Sequence, residues 1–257
     1  MNDKIQLVFP RDTVEAHLPD GRVLSGPRGA SAGDFLSVDA GSKTAPLLAA
    51  IVNGELRELT YPIKMDSKLS PLTMADPDGA RLYRRSLTFL LGAAFDDLYP
   101  ECRLTIDHSV SSGGYFCQIM GRPPLGEEEL AALDQRMRDW VAENAPFHRQ
   151  EVSVAEASAY FEGKGYLDKV RLLRFRQKEY VTLYRLGDYL DYHHGYMVPS
   201  TGYLKWFDLL PAGDGFILRF PQRKSPTALL PMPDYPKLLA AFRQYGSHAA
   251  PVVARER

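Results

Sequence analysis

The chain has 257 residues, of which 45% are hydrophobic and 25% charged, and its formal net charge is −1. That balance excludes a protein drawn to nucleic acid or to an anionic membrane by its global charge; any such attraction must come from a local patch. Its two cysteines, Cys102 and Cys117, make neither a C-x-x-C pair nor a disulfide framework, so reduced thiols in a cytoplasmic protein are expected. The start, M-N-D-K-I-Q-L-V-F-P, lacks the apolar run of a secretory signal, and no window approaches the ~20 apolar residues of a membrane span.

In chain order, Ile5 to Phe9 and Val14 to Leu18 read as short strands around the turn formers Pro10, Arg11 and Asp12. Pro19-Asp20-Gly21 is a second turn, and a helix is predicted near Ala30 to Val38. Leu47 to Val52 and Glu55 to Leu59 form a hairpin about Asn53-Gly54, a dipeptide that accepts positive φ, and Lys68 to Met74 is a further strand. Gly41-Ser42-Lys43-Thr44 ends like a phosphate loop but lacks both of that motif's glycines, so the pattern predicts no nucleotide binding. Asp76-Pro77-Asp78-Gly79 should break the chain before a helix from Arg84 to Leu98. The apolar residues Leu87, Leu90, Leu91, Ala94 and Leu98 form one face of that helix.

Beyond it, Arg103 to His108 and Tyr115 to Met120 read as strands around Ser111-Ser112-Gly113-Gly114. Glu127 to Asn144 is an amphipathic helix with three acids at its positive end, and Ser153 with Glu156 is a capping box for a short helix. Lys164 to Lys178 is rich in cations. Its basic patch (Lys169, Arg171, Arg174, Arg176) is read first as a solvated helix face and second as a phosphate- or RNA-facing surface. Tyr180 to Leu186, Tyr203 to Leu210 and Phe216 to Phe220 alternate like strands, and Asp234 caps a last helix stopped by Gly246.

These residues also carry a family resemblance. Leu18-Pro19-Asp20-Gly21, Val52-Asn53-Gly54-Glu55-Leu56 and Asp76-Pro77-Asp78-Gly79 leading into Arg85-Ser86 resemble a TGS domain, the ubiquitin-like β-grasp unit at the start of threonyl-tRNA synthetases. Leu90-Leu91-Gly92, Tyr189-Leu190-Asp191 and Val198-Pro199 resemble the adjoining editing (SAD) domain. Ile106-Asp107-His108-Ser109, the run G-Y-M-V-P-S-T-G-Y-L-K from Gly195 to Lys205, G-F-I-L-R-F-P from Gly215 to Pro221, and Pro236-Lys237-Leu238 to Tyr245 are closer to bacterial uridine kinase-like (nucleoside kinase) proteins. Those proteins carry the same two domains.

The resemblance spans about residues 5 to 246 and implies an α+β chain. It divides that chain into a TGS-like β-grasp domain over 1–80, an editing-like domain with an antiparallel sheet over 81–246, and a tail over 247–257. In that family a P-loop kinase domain follows, which makes a kinase domain of the same protein one expected partner and a nucleotide or tRNA-like ligand another.

The editing domain's metal site resembles a His-x3-His helix with a Cys-x3-His segment. The resemblance places those positions on Phe89, Ala93, His193 and Met197, which offer one good nitrogen donor; no metal, no cofactor and no zinc-dependent hydrolysis is expected. His108, Tyr192, His193, His194, Tyr196 and Tyr203 are the candidates for a ligand-facing cleft, being types that stack on bases or bond to ribose and phosphate. No catalytic residue is assigned. The reading is a recognition or regulatory module, with a metal-independent hydrolase of mischarged aminoacyl-tRNA as the alternative.

Overall fold

The computed structural model describes residues 9–38, 45–110 and 113–231. Residues 5–8 of the expected Ile5 to Phe9 strand, the 41–44 loop, Ser111, Ser112 and the helix after Asp234 lie outside the described residues, and Phe9 is exposed and in no strand.

A five-stranded sheet comes first. It comprises β1 (Thr13–His17), β2 (Val23–Pro27), β3 (Leu47–Val52), β4 (Glu55–Glu58) and β5 (Ser67–Thr73), in the order β2-β1-β5-β3-β4. β1 and β5 run parallel at the centre and the other pairs are antiparallel, with α1 (Ala32–Ser37) laid on one face; this is the β-grasp arrangement. Phe35 and Leu36 of α1 meet Val14, Ala16, Ala50, Val52, Ile63 and Leu69 in its core. Ser31 caps α1 reciprocally with Asp34, and that hydrogen bonding holds the Asp34 carboxyl below its usual range. The partner of β1 was not expected: it is β2, whose V-L-S-G-P carries three poor strand formers. Gly26 is needed there because a Cβ would sit 2.8 Å from the Phe35 ring.

The 22-residue helix α2 (Pro77–Leu98) organises the rest. Asp76-Pro77-Asp78-Gly79 does not interrupt the chain; Asp76 is the N-cap and Pro77 fills the first helical position, where its missing N–H costs nothing. The helix is about 33 Å long at 1.5 Å per residue. Its buried residues from Leu82 to Phe95 join Leu48 and Leu72 of the first sheet, and Met74 just after it, to the core of two further sheets.

One of those sheets is antiparallel in the order β11-β12-β7-β6, built from β6 (Arg103–Val110), β7 (Gly114–Met120), β11 (Asp208–Ala212) and β12 (Gly215–Arg219). The other is β10-β9-β8, from β8 (His148–Ser153), β9 (Tyr180–Leu186) and β10 (Tyr189–Tyr192). Helix α3 (Glu127–Glu143) covers the main core through Leu130, Leu133 and Met137. Helices α4 (Val154–Gly163) and α5 (Leu167–Arg174) form a satellite core with β8 and β9 around Phe161 and Leu173. The class is α+β, as expected.

Besides β2, two strands escaped the sequence reading, and one was displaced. β8 reads H-R-Q-E-V-S, a polar run that pairs along its whole length with β9, and β10 is only four residues long. Residues 201–203 form a 3-10 turn rather than the start of a strand, and the strand begins at Asp208. Among the described residues, no helix is long and apolar enough to cross a membrane.

Candidate functional site

The face of α2 formed by Thr88, Gly92, Phe95 and Asp96 lines a cleft of about 300 Å³, together with β6, Tyr166, Asp168 and Lys169 of α5, Tyr189 and Asp191 of β10, and His193. Gly92 gives β10 its close approach, because a Cβ there would lie 2.6 Å from the Tyr189 hydroxyl. Asp191 is the hub. It accepts hydrogen bonds from Lys169 Nζ (2.6 Å), Tyr189 Oη (3.2 Å) and its neighbour Tyr192 N (2.6 Å), and its carboxylate lies 3.8 Å from His193 Nε2. Two further pairs close the rim, Arg103 with Asp168 (2.6 Å) and Lys164 with Asp96 (2.9 Å). Burial, with the Asp191 charge nearby, holds the Tyr189 phenol well above its ordinary pKa, so it is a donor across the neutral range.

His193 sits against the Phe89 ring, centroids 5.3 Å apart, with its side chain 23% exposed. Burial depresses its pKa below the ordinary 6.5; Asp191 opposes that shift, and Lys169 and Arg85 reinforce it. The imidazole is therefore neutral at pH 7. Because the folded-state pKa lies below the unfolded one, its contribution to stability is intact above about pH 6.5 and is lost as pH falls through the depressed value. Urea unfolding of wild type and His193→Asn should accordingly diverge below about pH 6.5, wild type losing at most about 1.4 kcal/mol more per pH unit. Parallel pH profiles would show that the ring is not desolvated.

The run from Gly195 to Tyr203 is clamped from several sides. Arg85 Nη1 donates to the Tyr196 carbonyl (2.6 Å), Val198 N–H donates to Ser86 Oγ (2.9 Å), and Ser86 Oγ donates to Leu82 O (2.8 Å). From the first sheet, Glu58 accepts from Tyr184 Oη (2.5 Å) and Met197 N (3.5 Å). From α3, the Trp140 carbonyl accepts from Thr201 Oγ1, and Asn144 Oδ1 accepts from Ser200 Oγ (2.6 Å). Ser86→Ala would leave the Val198 N–H without an acceptor in a buried place, an expected loss of about 1–3 kcal/mol. The midpoint of chemical denaturation checks it; an unchanged midpoint would mean that the run is held by other contacts.

Of the six residues singled out from the sequence, His193 lines the cleft. Tyr192 packs on the satellite core, its hydroxyl 3.5 Å from Nδ1 of the exposed His194. Tyr196 packs against the main core and its hydroxyl accepts from Arg57 (3.4 Å). Tyr203 is wedged between the first and main cores, where burial raises its phenol. His108 lies on β6, 3.0 Å from Asp107 and against Phe116. The basic patch divides as well. Lys169 turns into the cleft, Arg176 bonds the Tyr180 carbonyl (2.7 Å) over the Tyr192 ring, and Arg171 and Arg174 are exposed.

Arg85, Ser86 and Phe89 of α2 reach the 193–198 run, and Phe89 and Ala93 are both residues of the main core. Among the described residues, no group of three or more His, Cys, Asp or Glu could hold a metal ion.

No family model matches the chain. Curated relatives do. The threonine–tRNA ligase of Thermotoga petrophila is 32% identical over 205 residues, which is 79% of this chain and 31% of the ligase. That of Laribacter hongkongensis is 33% identical over 201 residues, 77% of this chain and 31% of the ligase. A third, from Polaromonas naphthalenivorans, is 35% identical over 170 residues. The chain is related to threonine–tRNA ligases. It spans less than a third of the length of those it matches, so the relationship covers one region of a threonine–tRNA ligase.

Proposed function

We propose that this chain is a recognition module for a tRNA-like or nucleotide ligand, related to the TGS and editing regions of threonyl-tRNA synthetases and no longer working through zinc. The supporting observation is the chemistry at the positions that the resemblance assigns to the metal. Beside His193 they hold Phe89, Ala93 and Met197, all buried, which give a hydrocarbon ring, a methyl group and a weak soft donor where a tetrahedral zinc site needs three or four N, S or O ligands. That donor set does not fit the metal. What remains is a cleft of about 300 Å³ at the lower end of ordinary ligand sites, with donors (Lys169, Tyr189) and an acceptor (Asp191) already placed.

On this reading residues 1–80 are the TGS-like unit and 81–246 the editing-like unit, and a C-terminal kinase domain of a uridine kinase-like protein is the partner that reads occupancy. A G-x-x-x-x-G-K-[ST] loop after a strand, encoded downstream of Arg257, would support that partner. Binding is tested with uncharged tRNA, Ser-tRNA, nucleosides and ATP. Saturable binding that is insensitive to chelator is expected. Null results with all four, or deacylation of Ser-tRNA that needs added zinc, would remove the proposal.

One observation favours a second reading, a metal-independent hydrolase. His193 is neutral and lies 3.8 Å from Asp191 inside the cleft, as a general base must. Release of serine from Ser-tRNA that survives chelator, is abolished by His193→Ala and is unaffected by His108→Ala would establish it. No release at high protein concentration would dismiss it.

A further inference from the structure

The α2 face that lines the His193 cleft continues towards the helix start through Arg84, Arg81 and Pro77, and there it lines a second, larger depression of about 640 Å³. Its other walls are Ser109 and Val110 of β6, the hairpin glycines Gly113 and Gly114, and the segment from Phe220 to Lys224. Arg81 and Arg84 stand on one wall, Arg223 and Lys224 on another, and no acidic residue is among the lining residues. In a chain of net charge −1 that separation is pronounced, and it contrasts with the cleft, where Lys169 and Arg103 each face a carboxylate within 2.6 Å.

The four cations are available to a ligand. The Arg84 guanidinium lies 5.5 Å over the Phe220 ring, and its Nε donates to the Ala80 carbonyl (3.2 Å); among the described residues no other hydrogen bond of its five N–H donors is present. Arg81 pairs with Asp78 at 2.7 Å, but both are well exposed, and such a pair yields readily to a better anion. Arg223 and Lys224 are exposed and have no ion-pair partner among the described residues.

We infer that this groove binds the phosphodiester backbone of a single nucleic-acid strand. Arg81 and Arg84 are three residues apart on one helix face, about 4.5 Å of rise, and the other two cations face them across the trough. That distribution suits successive phosphates along a chain better than one phosphate gripped from all sides. The four cations are assigned to phosphates, which position a strand without reading it, so binding is largely independent of sequence. The assignment stands on the groove alone and does not depend on what the His193 cleft binds.

The test is fluorescence anisotropy with a labelled oligouridylate of about twelve nucleotides, a length within single-strand site sizes, titrated at several salt concentrations. The full chain should bind with a log K against log salt slope of about −2 to −3, four phosphate contacts at about −0.7 each setting the limit. Arg223→Gln with Lys224→Gln should weaken binding at least tenfold and flatten the slope by about 1.4, two contacts' worth. Both sites are exposed, so thermal unfolding should be unchanged. Arg171→Gln with Arg174→Gln on α5 should bind like wild type, and a DNA strand of equal length should compete. Unaltered affinity and slope in the Arg223/Lys224 variant would overturn the inference, as would a loss confined to the α5 variant. Tight binding of inorganic pyrophosphate without oligonucleotide binding would also overturn it, in favour of a small phosphate ligand.

Discussion

Truncating Phe89 to alanine is expected to destabilise the chain by about 3–5 kcal/mol, the range for removing a fully buried aromatic ring. Phe89 is 0% exposed and is the centre of an edge-packed cluster. Its ring lies 5.1 Å from Tyr189, 5.3 Å from His193, 5.7 Å from Phe147 and 6.4 Å from Tyr184, with interplanar angles of 67–79°. Such aromatic pairs contribute about 0.5–1.5 kcal/mol each beyond area burial, and the vacated volume cannot collapse easily between α2 and two sheets. Two of the four neighbours belong to the cleft. Phe89→Ala should therefore also loosen Tyr189 and His193, weakening any ligand of the cleft more than Phe89→Leu, which keeps most of the volume. Urea unfolding of both variants at pH 7.5 reads the stability difference. A loss below about 1 kcal/mol for alanine would show that the ring is not the keystone its contacts imply.

What the sequence disclosed follows from how local each feature is. The stripe along α2, the Asn53-Gly54 hairpin and the Ser153/Glu156 capping box are set by residues within four positions of each other; the hairpin and the box stand where turn chemistry put them, and the stripe holds through Leu87, Leu90, Leu91 and Ala94, whereas Leu98, at the helix end, is exposed. β8 was invisible because H-R-Q-E-V-S shows no alternation; its place is fixed by six pairings to β9, about thirty residues on. The cleft was only half legible for a related reason. Lys169 and Asp191 are far apart in sequence, as are Lys164 and Asp96, so no spacing rule couples them. Grouping aromatics and histidines near the Gly195 run picked a stretch that borders the cleft at His193. It could not tell His193, turned against Phe89, from Tyr203, turned between two cores, since a clamped loop has no fixed side-chain period. Tyr189 and Asp191 carried a signal in the resemblance through Tyr189-Leu190-Asp191. Gly92 did as well, through Leu90-Leu91-Gly92. Of the two helix positions that the resemblance gives to the metal, Phe89 packs its ring beside His193 and Ala93 is buried in the main core.

Gly79→Ala is the substitution with the other large expected effect, and it acts through backbone rather than side chain. The turn from β5 into α2 is tight. Asp76 N donates to the Thr73 carbonyl (3.1 Å), while Asp76 Oδ2 accepts from Thr73 N (2.7 Å) and Thr73 Oγ1 (2.8 Å). A Cβ on Gly79 would stand 1.8 Å from that same carbonyl oxygen and 2.7 Å from its carbon, and neither atom can rotate away. Relief requires either that the end of β5 move, dislodging Leu72 and Met74 from the main core, or that the first turn of α2 unwind. Either exceeds the gain of about 1 kcal/mol that alanine brings to a helix interior, and a net loss of about 3 kcal/mol is expected. At about 2–4 °C per kcal/mol for a chain of this size, the thermal midpoint should fall by about 6–12 °C. Gly163 is the matched control, a helical glycine at the end of α4 with nothing within 4 Å of an added Cβ, where alanine should leave the midpoint unchanged or raise it slightly. Since α2 presents both the cleft residues and Arg81 and Arg84 from one face, Gly79→Ala should weaken ligands of cleft and groove together, whereas Arg223→Gln with Lys224→Gln affects the groove alone. Equal midpoints for Gly79→Ala and Gly163→Ala would mean that the β5–α2 junction has room the geometry denies, and that the two sites are not set by a common helix start.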